Sequence, residues 1–279
     1  MSRNGGYYMV RTIRSGRCTE KTKFWVSGNT QIRKGRTKGA TTQRKQDVNE
    51  RDGLRRFARS INCNFNKGDY LLTGTYDQDG LLELLRMAEN PRDINSIFQA
   101  AKGNLENLMK ALKRKLGKVG IKPRTIHLTA DINEDGSPAR IHHHILISGE
   151  GLSILEDGTM MVADRPLRDF WRFGTLDWKA IWDRADQTPL AEYLWRQVRR
   201  QPNGKKYSPS RNLAKPVLVK EEKHYTEREL KVPKGGKLLF RAQFEPGHPQ
   251  YIRYIEEQHQ NSREKIPDSW AEFFAELEG

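Results

Sequence analysis

The chain is 279 residues long, carries a formal charge of +15 and is 35% hydrophobic, which suffices for one good core with large appendages or for two small domains. A pI near 9.8 predicts a polyanionic partner, nucleic acid ahead of a membrane surface, because the basic stretches lack a sustained apolar stripe. No apolar run reaches the roughly 18 residues that span a bilayer, the opening MSRNGGYY has no signal-peptide core, and two cysteines, Cys18 and Cys63, outside any CxxC spacing predict a reduced, cytoplasmic setting.

Positive charge is concentrated early: residues 1 to 60 hold 16 Lys plus Arg against 4 Asp plus Glu, a local excess of 12. Short apolar stretches at Tyr7 to Ile13 and Phe24 to Ser27 predict strands. A basic, Gly- and Thr-rich connection through Lys45 reads as a flexible arm whose Arg33, Lys34 and Arg36 are candidate DNA-backbone contacts. A helix is expected to open near Asn49, with Leu54, Phe57, Ala58 and Ile61 at helical spacing. The segment DYLLTGTYD, Asp69 to Asp77, predicts a strand, and Asp93 to Leu116 a helix with Ile97, Leu105, Leu108, Leu112 and Leu116 on its apolar face.

Two alternating segments come next, Thr125 to Asp131 and Ile141 to Ser148, on either side of an EDG turn. The second contains His142, His143 and His144. Strand side chains alternate between faces, so His142 and His144 share one face while His143 takes the other. Folding the hairpin about Gly136 and Ser137 predicts Asp131 across from His142 and Thr129 across from His144. Two imidazoles and a carboxylate would then form a half-shell for a divalent cation, with positions left for water and a phosphate oxygen. The competing reading is a solvated polar strand. After it, Gly149 to Asp186 is less regular, and its Trp171, Trp178 and Trp182 read as packing residues rather than base-stacking platforms.

In TPLAEYLWRQVRRQ, Thr188 is a good N-cap, Pro189 suits the first helical position, and Leu190, Leu194 and Val198 form a stripe. Tyr193 on this helix has Arg196, Gln197 and Arg200 at plus three, four and seven. Taken alone, that is an ordinary helix surface. Beyond it, a strand is expected at Lys237 to Phe244 and an acidic helix at Asp268 to Glu278, whose apolar face packs on the core in the favoured reading and binds a partner in the alternative. No GxxxxGK[ST] occurs, so no nucleotide phosphate-binding loop is expected.

The strand YLLTGTYD, the HHH strand and a helix tyrosine, in this order, resemble the three motifs of rolling-circle replication initiators of the HUH endonuclease superfamily, found in small bacterial plasmids and single-stranded DNA phages. GKKYSPSRNL, Gly204 to Leu213, is similar to the segment after the tyrosine helix in replication-associated proteins of Firmicutes elements. The resemblance covers about Asn62 to Pro216. It implies His142 and His144 as metal ligands, Asp131 as the acidic third ligand with Glu134 as the fallback, and Tyr193 as the nucleophile. The usual lysine three or four residues after the tyrosine is absent, leaving Arg196 as the candidate helper cation, and Gln197 stands where two-tyrosine members carry their second tyrosine.

The implied activity is metal-dependent nicking and rejoining of single-stranded DNA through a 5′-phosphotyrosine. Mn2+ or Mg2+ would be the cofactor, a replication origin the substrate, and a host helicase and polymerase the partners, with Arg200 and Arg211 among the DNA contacts. A conjugative relaxase or a single-tyrosine transposase would use the same residues on different DNA, and a nonenzymatic basic DNA-binding regulator would not need the tyrosine. The expected fold is α+β: a central antiparallel sheet with flanking helices, similar to the ferredoxin-like or RNA-recognition-like core of HUH enzymes. The expected division is a basic N-terminal region at 1–61, the endonuclease core at 62–216 and a C-terminal extension at 217–279.

Overall fold

The computed structural model describes residues 5–28, 42–133, 136–198, 205–243 and 245–256. In chain order the elements are β1 (Tyr7–Ser15), β2 (Cys18–Val26), α1 (Gln43–Asn64), β3 (Tyr70–Thr75), α2 (Gln78–Met87), α3 (Ile94–Lys118), β4 (Thr125–Ile132) and β5 (Pro138–Ile147). Three short strands come after them, β6 (Leu152–Ile154), β7 (Met160–Val162) and β8 (Arg165–Pro166), then a 3-10 turn at Leu167–Phe170 and β9 (Leu176–Ala180). The remainder is α4 (Thr188–Arg196), β10 (Ser208–Pro209), β11 (Val217–His224), β12 (Gly236–Arg241) and β13 (Gln250–Glu256). The class is α+β with antiparallel sheets, as expected. Among the described residues no helix is long and apolar enough to cross a membrane. The acidic helix expected at Asp268 to Glu278, and most of the basic connection before Lys45, lie outside the described residues.

The chain divides into two units. One holds the described residues of Met1–Cys63, Ala185–Pro189 and Ala214–Gly279, the other Asn64–Arg184 and Leu190–Leu213. Described parts of the expected N-terminal region and C-terminal extension therefore share one unit, where they build a single sheet in the order β11-β1-β2-β13-β12. Val10, Leu230, Ile252 and Tyr254 form a small core on it. Helix α1 is tied to the same sheet by Arg59, whose Nη2 lies 2.7 Å from Glu20, and by Arg55, which sits 4.3 Å over the Tyr251 ring.

The β1–β2 hairpin closes through a two-residue loop, because Ser15 pairs with Cys18. Gly16 takes its first position at φ +59°, the conformation that a II′ turn demands. A Cβ there would lie 2.1 Å from the Asn62 carbonyl oxygen. Gly16→Ala is therefore expected to destabilise this unit by about 2 kcal/mol or more, measured by urea unfolding.

The second unit is built on a sheet in the order β10-β4-β5-β3-β9. One face is covered by α3, whose Ala101, Leu105, Leu108, Leu112 and Leu116 pack with Leu72 of β3 and Ile141, Ile145 and Ile147 of β5. Asp93 caps α3, its carboxylate accepting from the Asn95 N–H at 3.0 Å. Two differences from the sequence reading have local causes. Helix α1 starts at Gln43 rather than near Asn49, since its first turns are polar and carry no apolar period. Helix α2 has no counterpart in the sequence reading, because Asp77, which reads as the end of a strand, instead caps a helix by accepting from the Gly80 N–H at 2.7 Å. Trp171 packs as expected: it is buried, and its indole N–H donates to the Thr75 carbonyl at 2.8 Å.

Candidate active site

The site is set by the pleat of β5. Its residues 141, 143, 145 and 147 point toward α3, so His142 and His144 lie on the opposite face, as alternation predicts. The register departs from expectation by one residue. His142 pairs with Ala130, His143 with Thr129 and His144 with Leu128, and the ladder shifts between Ala130 and Ile132. Thr129 therefore lies on the face of His143, not of His144, and its hydroxyl is 3.1 Å from His143 Nδ1. The cause is the turn: Asn133 N–H donates to the Ser137 carbonyl at 2.8 Å, which closes the loop earlier than a turn centred on Gly136 and Ser137. A single-residue offset sends each neighbour on the adjoining strand to the other side.

Asp131 is buried at 1% exposure. Among the described residues no three side chains drawn from His, Cys, Asp and Glu form a group that could hold a metal ion. Glu134 lies outside the described residues. The third group that meets the histidines is Gln197, immediately after α4. Its Oε1 is 2.7 Å from His144 Nε2, which is itself 3.1 Å from His142 Nε2. Its backbone carbonyl accepts from the N–H groups of Asp131 at 3.1 Å and Ile132 at 3.3 Å, fixing the end of α4 to β4.

Tautomers are set by the partners. The Arg140 carbonyl, 2.8 Å from His142 Nδ1, can only accept, so the proton sits on Nδ1 and Nε2 presents a lone pair. His144 Nδ1 faces the Thr73 hydroxyl at 3.3 Å, while its Nε2–H donates to Gln197 Oε1, which can only accept, so cation binding would require that proton to move to Nδ1. Burial, then the charge of His142, holds His144 well below the ordinary histidine range, opposed by its hydrogen bond to Gln197. Two imidazole nitrogens and an amide oxygen thus converge where an imidazolium is disfavoured. Ligands at about 2.1 Å and right angles around an octahedral cation stand about 3.0 Å apart, close to the 2.7 and 3.1 Å observed. The donor set fits a divalent cation.

Tyr193 lies on α4, which Asp186 starts by accepting from the Thr188 N–H at 3.0 Å and which buries the stripe Leu190, Leu194 and Val198. Its ring is 9% exposed, with its centroid 6.0 Å from that of His144. Helix periodicity puts positions i and i+4 on one face, so Tyr193 and Gln197 both reach His144. Arg196 is exposed at the last residue of α4, and Arg211 is exposed beyond β10. Arg33, Lys34, Arg36 and Arg200 lie outside the described residues. Sequence reasoning misses the contact of Gln197 with His144, although its spacing from Tyr193 is legible. Comparison with known proteins returns no matching family model, no matching curated protein and no matching solved structure.

Behind the site, His143 is fully buried. Its Nε2 is 3.0 Å from the Tyr76 hydroxyl, which also accepts from Asn104 at 3.3 Å. Burial, then His142 and His127, hold His143 down to about 3; burial and Lys113 hold His127 at about 4. The unfolded chain, with histidines near 6.5, binds more protons in this range. Stability is therefore complete above about pH 6.5 and falls as pH drops toward 4, by roughly 2 kcal/mol per histidine at pH 5. Urea unfolding with chelator at pH 7.5 and pH 5 measures this, and His127→Gln should flatten part of the slope.

Proposed function

We propose that this chain is a metal-dependent nicking and joining enzyme for single-stranded DNA of the HUH endonuclease type, acting as a rolling-circle replication initiator. The observation that carries it is the stacking of three features in one place: the Tyr193 ring beside His144, and the Nε2 atoms of His142 and His144 converging with Gln197 Oε1. The net charge of +15 suits a DNA substrate.

His142, His144 and Gln197 would hold the cation, Mn2+ or Mg2+. What it supplies when bound is polarisation of the scissile phosphate and relief of the charge growing on its nonbridging oxygens. Tyr193 is the nucleophile: its oxygen forms a bond to phosphorus as the bond from phosphorus to the 3′ oxygen breaks. The phenolic proton ends on the released 3′ hydroxyl, which is then free to prime synthesis. One phosphodiester replaces another, so the step is near thermoneutral and reversible, and rejoining needs no nucleotide cofactor. Bases flanking the scissile bond must be unpaired for the phosphate to reach a site whose His144, Gln197 and Tyr193 are buried. A host helicase would supply the unwinding for which this chain has no phosphate-binding loop, and a host polymerase would extend the primer.

The test is incubation with a single-stranded oligonucleotide library and Mn2+, followed by a denaturing gel and peptide mapping of any adduct. The expected product is DNA joined through its 5′ phosphate to Tyr193. An adduct on another residue, or hydrolysis with no adduct, overturns the reading.

A further inference from the structure

The face of the second unit opposite to His142 and His144 carries an arrangement that nicking does not use. From Lys110 to Lys118, the last turns of α3 contain five cations, Lys110, Lys113, Arg114, Lys115 and Lys118, and no acid. Lys110, Arg114 and Lys118 stand four residues apart in one exposed row, where like charges oppose helix formation. The helix dipole favours cations only in the last turn, and the one acid at this spacing is Glu106, four residues before Lys110. Lys115 pairs with Asp164, but none of the three row residues makes a salt bridge among the described residues, and Lys118 feels Asp164 only at longer range. A helix surface serving solubility alone would continue glutamates past Lys110, where the row has none.

The row borders a cleft of about 290 Å³ lined by Ala111, Arg114, Lys115, Lys118, Arg165 and Phe170. We propose that this row and cleft dock the phosphate backbone of duplex DNA. The cations extend over about 12 Å of helix, and B-DNA offers one phosphate per about 1.7 Å of axis, so several contacts can form at once. A single strand would call for open aromatic faces on which bases stack. Phe170, the ring at this cleft, is instead covered by the Arg165 guanidinium 4.6 Å from its centroid. Because the surface lies on the far side of the sheet from His142 and His144, a duplex held there leaves the candidate active site open to a single strand.

The inference does not depend on cleavage and is tested without it. Full-length Tyr193→Phe protein with chelator, with and without Lys110→Gln, Arg114→Gln and Lys118→Gln together, is titrated with a duplex, with a single strand and with phosphatidylserine vesicles across a salt series. The triple substitution should reduce the slope of log affinity against log salt for duplex by about 2 to 3 and duplex affinity by about 10-fold or more, while single-strand affinity changes by less than about 2-fold. Lys110→Arg with Lys118→Arg should retain duplex binding. An unchanged duplex slope overturns the proposal, as does an equal loss for single strand. So does a loss confined to phosphatidylserine vesicles, which would assign the surface to a membrane instead.

Discussion

Tyr193→Phe is expected to leave both units folded and to remove the covalent protein–DNA adduct, with nicking falling by at least about 10³-fold, the order of loss seen when a covalent nucleophile is deleted. The ring is 9% exposed and packs beside His144, so phenylalanine fills the same space and removes one oxygen. That makes the substitution a clean separation of chemistry from packing. Mn2+ affinity, followed by calorimetry, should be close to that of the wild type, because the proposed donors to the cation are the two histidines and Gln197. A nonenzymatic DNA-binding regulator would be indifferent to the change. Persistence of adduct in the variant would move the nucleophile elsewhere and dissolve the functional proposal.

The second large effect is expected at the cation site. His142→Ala with His144→Ala should abolish Mn2+ binding and lower nicking by about 10³-fold, since two of three protein donors are lost. Gln197→Ala should weaken Mn2+ binding by about 10- to 100-fold, whereas Asp131→Asn should change it far less. These measurements are best made on the Tyr193→Phe protein, where no DNA product accumulates. The comparison between positions 131 and 197 is decisive for the assignment: Mn2+ affinity lost in Asp131→Asn and retained in Gln197→Ala would return the third position to the carboxylate. The present geometry favours the amide, whose oxygen is already 2.7 Å from His144 Nε2.

Much of the second unit is legible in the sequence because its signals are periodic. Alternation in Thr125 to Asp131 and Ile141 to Ser148 identifies β4 and β5 and correctly separates His143 from its neighbours. The four-residue stripe of Leu190, Leu194 and Val198 identifies α4. Register is a different kind of information. It depends on how a loop closes, and neither the ladder shift after Ala130 nor the Asn133 to Ser137 hydrogen bond has a compositional trace. The role of Gln197 is hidden for a related reason: a neutral amide gains meaning only from the groups it faces. The joining of the two ends of the chain in one sheet is equally out of reach, because pairing of β2 with β13 links segments more than two hundred residues apart.

The twin hydrogen bonds from Asp131 and Ile132 to the Gln197 carbonyl have a consequence for how the cation would come and go. They staple the backbone of Gln197 to the strand next to the histidines through main-chain atoms, so only the torsions of its own side chain remain to place the amide oxygen. The backbone frame of the proposed site is thus preorganised: loading would require ordering of side chains rather than of the chain, and departure would leave the scaffold standing. Cation exchange in such a site is governed by dehydration of the incoming ion rather than by refolding around it, so chelation should silence the protein reversibly without unravelling it.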